Sequence, residues 1–177
     1  MKQKKNYKNL IIDVDGVMTD GKFYYSERGK IMKLFGADDN DALKILSDYM
    51  NIHFITGDKK GLKISKKRIV TDMGFKLNLV STIKRIEWIE KNYDLNESIY
   101  IGDGFFDSMV MSKVAFSFAP FNASELAKKE ADILLKRSGG DRAVAEAVIY
   151  ILKNFLNFKN ISSAIKKNKK FSGNWTN

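Results

Sequence analysis

The chain has no cysteine, one histidine (His53) and one proline (Pro120) among 177 residues. Without thiols there is neither a disulfide framework nor a thiolate metal site. A lone histidine argues against a histidine-based catalytic triad and against a histidine-rich metal centre. No apolar run approaches the roughly 20 residues that a membrane span requires. The charged N-terminus, MKQKKNYKN, lacks the apolar core of a secretory signal. The expectation is a cytoplasmic protein with no membrane part. Lysine is abundant: the formal net charge is +10. The lysines are spread along the chain and thickest at its two ends, which argues against a dedicated nucleic-acid surface. A positive field instead favours an anionic substrate.

A hydrophobic content of 44% and this length suit one globular core. The most informative stretch is LIIDVDGVMTD, from Leu10 to Asp20. An apolar, β-branched run leads into Asp13 and Asp15, and Gly16 follows. This reads as a buried strand opening into a loop at its carboxyl end, where ligands sit in a parallel α/β sheet. Two carboxylates converging there repel each other unless a cation neutralises them. A hard divalent ion, Mg²⁺ most simply, is the natural partner for such oxygen ligands.

After that strand, Phe23-Tyr24-Tyr25 and Ile31 to Phe35 flank a glycine-containing turn and predict a β-hairpin. Its apolar character calls for cover, by a partner chain or by its own domain. A helix is expected over 37–50, with Asp38, Asp39 and Asn40 at its start. Asn51 to Gly57 is a second strand ending in Thr56-Gly57, a hydroxyl and backbone amides suited to a phosphate. His53 on this strand reads as a core or sheet-face residue. A basic helix is expected over 62–73, with Gly74 as its C-cap. A short strand over 76–80 follows, then a helix over 83–92 with Ile83, Ile86 and Ile89 inward. SIYIGDGFFD places Gly102, Asp103 and Asp107 at another strand end. Further short strands near 112–118 and 132–135 and helices over 123–129 and 143–157 complete a strand–helix alternation. The fold class is α/β, a Rossmann-like three-layer sandwich with a mainly parallel sheet, a projecting β-hairpin after the first strand and no separate cap domain. Residues 1–157 form the domain, with residues 1–8 a loose lead-in, and 158–177 a mobile basic tail.

DVDGVMTD, ITG and GDGFFD, in this order, resemble the motifs of the haloacid dehalogenase superfamily of phosphohydrolases, in its cap-less 3-deoxy-D-manno-octulosonate 8-phosphate phosphatase-like branch. The resemblance covers about residues 9–155. It implies a Mg²⁺-dependent phosphomonoesterase with Asp13 as nucleophile and Asp15 as general acid and base. Mg²⁺ would be held by Asp13, the Asp15 backbone carbonyl and Asp103, with Asp107 supporting that shell. Thr56 and Gly57 would hold the phosphate, with Asp39 and Arg142 as further substrate contacts. Without a cap, a neighbouring subunit would close the pocket, which implies a homo-oligomer, a tetramer by this resemblance. The substrate class implied is a phosphorylated 2-keto-3-deoxy sugar acid, an octulosonate 8-phosphate or a nonulosonate 9-phosphate.

The chain also departs from the pattern. Ser81 or Thr82 stands where the third motif has a lysine. Lys84 is the nearest replacement, with Lys59, Lys60 and Lys76 as alternatives. Asp38 and Asp58 stand where arginines are common, Asn40 and Arg142 where glycine is, Gly104 where aspartate is, and Ala145 where arginine is. These departures leave an alternative open: a catalytically weak phosphatase-fold partner of a sugar-activating enzyme.

Overall fold

The computed structural model describes residues 6–167. Alternation along the strands builds two cores, because successive side chains leave a strand on opposite faces. Leu10 and Ile12 of β1 (Asn9–Asp13) join one apolar cluster with Phe54 of β4 (Asn51–Thr56), Ile99 and Ile101 of β6 (Ser98–Ile101) and Phe118 of β7 (Phe116–Ala119). Ile11, Ile55, Tyr100 and Ala119, the residues between or beside them, join the cluster on the other face. With β5 (Lys76–Leu79) and β8 (Ile133–Leu134), the strands run in the order β5-β4-β1-β6-β7-β8, every pair parallel. The first face is covered by α1 (Asp38–Leu46), α6 (Ala143–Asn154), and Ile69 and Met73 at the end of the basic helix. That helix starts as α2 (Leu62–Lys66) and widens into a π-helical turn over Lys67–Asp72. The second face is covered by α3 (Arg85–Asn92), α4 (Asp107–Met111) and α5 (Glu125–Glu130). The three-layer architecture expected from the sequence is what forms. Among the described residues, no helix is long and apolar enough to cross a membrane.

The hairpin also forms, as β2 (Tyr24–Ser26) against β3 (Gly29–Met32), in a separate two-stranded sheet. A single antiparallel bridge, Thr19 to Phe35, closes its root. Phe23, Tyr24, Tyr25, Ile31, Met32 and Leu34 are all exposed.

Three expectations need correction. Tyr7 does not belong to a loose lead-in: it is buried, with its ring 4.7 Å from that of Phe155, and aromatic packing fixes the chain before β1. Residues 1–5 lie outside the described residues. Nor is the chain after residue 157 uniformly a tail. Ile161–Lys167 forms α7, Ala164 is fully buried in the first core, and the Tyr49 hydroxyl donates to the Ala164 carbonyl at 3.3 Å. Small and apolar residues at helical spacing in ISSAI let this segment dock; residues 168–177 lie outside the described residues. Finally, Ile83 is 69% exposed. The chain turns over 82–84 before α3 begins, with the Arg85 amide bonded back to the Thr82 carbonyl, and Ile83 points outward.

Candidate active site

β1 lies between β4 and β6, with Asp13 opposite Ile55 and Ile12 opposite Ile101. The carboxyl ends of the three strands therefore meet, and Asp13, Thr56 and Asp103 come from adjacent tips. By alternation Asp13 shares the face of Ile11 and Tyr100, the side covered by α3 and α4. The loop after β1 turns through Gly16 at φ +90°, and a Cβ there would fall 2.0 Å from Asp103 Oδ2. Glycine is required on both counts. The Thr19 hydroxyl accepts from the Gly16 amide at 3.1 Å and steadies the turn. Gly139 and Gly140 pack directly on this loop: a Cβ on Gly139 would meet the Gly16 carbonyl oxygen at 1.8 Å, and the Gly140 amide donates to the Val17 carbonyl at 3.1 Å. Glycine at these two positions lets the two backbones meet.

Asp13, Asp103 and Asp107 each offer a carboxylate oxygen within 4.8 Å of the others. Asp107 is already saturated: Oδ2 accepts from the Asp103 and Gly104 amides at 3.0 and 2.8 Å, and Oδ1 accepts from the Tyr100 hydroxyl at 2.7 Å and from Arg85. It holds the loop more than it offers itself. Burial pushes the Asp13 carboxyl well above its usual range; Arg85 opposes this, and Asp107, Asp103 and Asp15 push it further up. Burial, and then Asp107, raise Asp103 to about 7. Asp13 Oδ1 is buried without an aligned hydrogen-bond donor. Crowded hard oxygens with an orphaned lone pair are what a divalent cation relieves, so the residues present fit one.

The cation that stands beside Asp13 is not Lys84 but its neighbour. Lys84 is exposed at the N-cap of α3. The next residue, Arg85, is 3% exposed; its Nη2 lies 3.2 Å from Asp13 Oδ1 and its Nη1 pairs with Asp107 Oδ1. The helical phase decides the matter: Arg85 stands four residues before the inward Ile89, whereas Lys84 falls on the outer side. An arginine on an otherwise apolar helical face, four before Ile89, was the signal available in the sequence.

Asp15 is held separately. Its Oδ2 accepts from the Thr56 hydroxyl at 2.9 Å, and Thr56 Oγ1 in turn accepts from the Asp58 amide at 3.0 Å. Its Oδ1 lies 2.6 Å from Lys33 Nζ, an ion pair rather than an aligned hydrogen bond. The Lys33 side chain is completely buried; its ammonium also lies 2.9 Å from Asp58 Oδ2 and donates to Ser65 Oγ at 2.9 Å. Lys30 pairs with the same Asp58 at 2.5 Å. Burial would raise Asp58, but hydrogen bonds from Lys30, Lys33 and the Gly61 amide outweigh it and hold its carboxyl at about 2. Lys33 was missed from sequence because it alternates with Met32 and Leu34 and so reads as the outward residue of a strand.

Two other expected substrate contacts are engaged elsewhere. Asp39 is fully buried under the start of α6, with Oδ1 accepting from the Ala145 amide at 2.8 Å. It caps orphan amides of that helix, a helix-terminus role that outcompetes exposure to a pocket. Arg142 donates from Nε to Asp38 Oδ2 at 2.5 Å and pairs with Asp141 at 3.2 Å. The departures at 38 and 142 thus meet as an exposed ion pair and neutralise each other. Thr56 and Gly57 stand at the tip as expected. A Cβ on Gly57 would lie 2.7 Å from Thr82 Cγ2, so glycine lets the two loops touch.

Parallel strand tips that gather Asp13, Asp15, Thr56, Asp103 and a buried cation define a phosphatase of the haloacid dehalogenase superfamily. Among family models compared with the chain, none matches. The 3-deoxy-D-manno-octulosonate 8-phosphate phosphatase KdsC of Haemophilus influenzae is 32% identical over 162 residues, spanning 86% of this chain and 87% of that protein. The chain belongs to the 3-deoxy-D-manno-octulosonate 8-phosphate phosphatase family. The cobalt-bound structure of the Haemophilus influenzae phosphatase matches with a TM-score of 0.78 and 27% identity, over 94% of this chain and 100% of that one. The Moraxella catarrhalis phosphatase, solved with magnesium, phosphate and the KDO sugar acid, shares the fold at a TM-score of 0.76 and 24% identity, over 92% and 95% of the two chains.

Proposed function

We propose that the chain hydrolyses a phosphorylated 2-keto-3-deoxy sugar acid, with 3-deoxy-D-manno-octulosonate 8-phosphate the first choice and a nonulosonate 9-phosphate the second. The carrying observation is the oxygen cluster of Asp13, Asp103 and Asp107 beside the Asp15–Thr56 pair. The family relatives named for the octulosonate phosphate support the first substrate. The second is kept because the residues flanking the site depart from the family pattern at Asp38, Asn40, Asp58 and Ala145.

Asp13, at the tip of β1, attacks phosphorus and carries the phosphoryl group as an aspartyl-phosphate. Asp15 gives a proton to the departing sugar oxygen and later takes one from water. Thr56 and neighbouring amides orient the phosphate. Arg85 brings positive charge to Asp13, which supplies the cation that the absent third-motif lysine left wanting. That weakens the reason for a catalytically silent partner. Asp13, Asp103 and the Asp15 backbone carbonyl, with Asp107 behind them, would hold Mg²⁺, which when bound would supply neutralisation of the crowded negative charge. The magnesium in the Moraxella catarrhalis phosphatase supports this choice of ion.

The exposed apolar hairpin supports assembly into a homo-oligomer, a tetramer in our reading, whose neighbouring subunit closes a pocket that has no cap. A cytoplasmic setting accompanies this reading, since a phosphorylated sugar acid does not cross membranes. The test is a screen of phosphorylated sugar acids with Mg²⁺ present or chelated. Release of phosphate from an octulosonate or nonulosonate phosphate, lost on chelation, is expected. Absence of turnover on every sugar phosphate would return the chain to the role of a binding partner.

A further inference from the structure

The Lys33 ammonium has a place that the proposed chemistry does not yet use. It is buried, and a buried ammonium persists only with charged or hydrogen-bonded partners on its donors. Three oxygen partners surround it: Asp15 Oδ1 at 2.6 Å and Asp58 Oδ2 at 2.9 Å as ion pairs, and Ser65 Oγ, which accepts a hydrogen bond at 2.9 Å. Asp58 is fixed by the Gly61 amide at 3.0 Å and by Lys30 at 2.5 Å. Gly61 makes this possible, because a Cβ there would lie 2.1 Å from Asp58 Oδ2 and 2.8 Å from Lys33 Cε. The Asp15 carboxylate is thereby gripped at both oxygens, by Lys33 on one and by the Thr56 hydroxyl at 2.9 Å on the other. Asp15 is not among the three carboxylates that converge on the candidate metal position.

We infer that Lys33 is a positioning residue for Asp15. It fixes the orientation of the carboxylate between the Lys33 ammonium and the Thr56 hydroxyl, apart from the Asp13–Asp103–Asp107 group, with Asp58 and Ser65 as its holders. The two catalytic aspartates thus have separate cations, Arg85 on Asp13 and Lys33 on Asp15. Asp58 also gains a purpose here. An arginine in its place would repel Lys33, whereas its carboxylate anchors the ammonium. The hairpin is thereby part of the site, since Lys30 lies in β3 and Lys33 directly follows it.

This inference rests on the reading of Asp15 as acid toward the leaving group, and its test separates the two. Hydrolysis of 3-deoxy-D-manno-octulosonate 8-phosphate, whose alkoxide needs a proton to depart, is compared with that of p-nitrophenyl phosphate, whose phenolate does not. Lys33→Met is expected to lower kcat/KM, which reports formation of the aspartyl-phosphate and not its later hydrolysis, at least about tenfold on the sugar phosphate and by less than about threefold on the aryl phosphate. In an Asp15→Asn background, Lys33→Met is expected to add no further loss on the sugar phosphate. Equal losses on both substrates, or losses that multiply in the double variant, would overturn the inference and leave the phosphatase reading standing. A wild-type chain that hydrolyses neither substrate overturns both. Should Lys33→Met fail to give a cooperative melt, Ser65→Ala removes one of the three contacts and is expected to show the same substrate selectivity at smaller size; its absence there overturns the inference.

Discussion

In the central sheet, Leu10, Ile11 and Ile12 are all fully buried, on alternate faces, and only at the strand's end does a carboxylate replace an apolar side chain. The hairpin reverses this. Met32 and Leu34 are more than half exposed, and Lys33 between them is the buried one. Both regions obey the same physics with different neighbours. The sheet faces two apolar helix layers. The inner side of the hairpin faces Asp15 and Asp58, so its buried residues must be cationic, and its apolar side is left for another surface.

That contrast can be broken most forcefully at the sheet's tip. Asp13→Asn is expected to reduce Mg²⁺-dependent phosphate release by at least about 10³-fold, because it replaces the carboxylate that we propose as nucleophile while preserving shape. Retained steady-state turnover would move the chemistry elsewhere. Next come the buried side chains. Phe54→Ala should cost about 3–5 kcal/mol in denaturant unfolding. Tyr25→Ser, on the hairpin, should stay within about 0.5 kcal/mol for the protomer and, in the homo-oligomer we propose, shift the distribution toward smaller species in sedimentation. A Tyr25 variant as damaging as Phe54→Ala would mean that the hairpin folds as core.

Adjacent residues of α3 sharpen the same point. Arg85→Leu leaves Asp107 and Asp13 buried without their cation and should destabilise the metal-free protein by about 3–5 kcal/mol. Lys84→Ala should change it by less than about 0.5 kcal/mol. Thermal melts of the two variants side by side decide whether the helical phase has been read correctly.

The last test is a pH window. Asp58 is held at about 2 in the folded chain, below the roughly 3.9 of an unfolded aspartate. Its folded pKa is depressed, so its contribution to stability is present above about pH 4 and is lost as pH falls through about 2. Unfolding of wild type and Asp58→Asn should therefore differ by a constant amount above about pH 4 and converge in stronger acid. A difference that grows with acidification would contradict the Lys30–Asp58–Lys33 pairing.

The sheet was legible because apolar runs ending in Asp13, Thr56 and Gly102 carry both element type and direction. The aspartate positions and Thr56 followed from those same strand ends. What escaped was decided by long-range neighbours. Lys84 and Arg85 are adjacent, and only the phase of α3 against Ile89 separates them. Asp39 reads as a helix start in either role, and its true partner, the Ala145 amide, lies 106 residues away. Lys33 hides among apolar residues because strand alternation assumes that apolar side chains point inward, which fails where the inward neighbours are carboxylates. Arg142 and Asp38 each depart from the pattern that the resemblance implies, and only the structure shows that they pair, at 2.5 Å.

The contact of Gly139 and Gly140 with the loop after β1 has a consequence for synthesis. The segment that carries Asp13 and Asp15 emerges early from the ribosome, yet the backbone that braces it is translated more than a hundred residues later. A nascent chain therefore displays Asp13 and Asp15 without their final support until nearly the whole domain has been made. Competence to turn over substrate should arrive late and abruptly, as chains extend past residue 140, and not grow gradually with length.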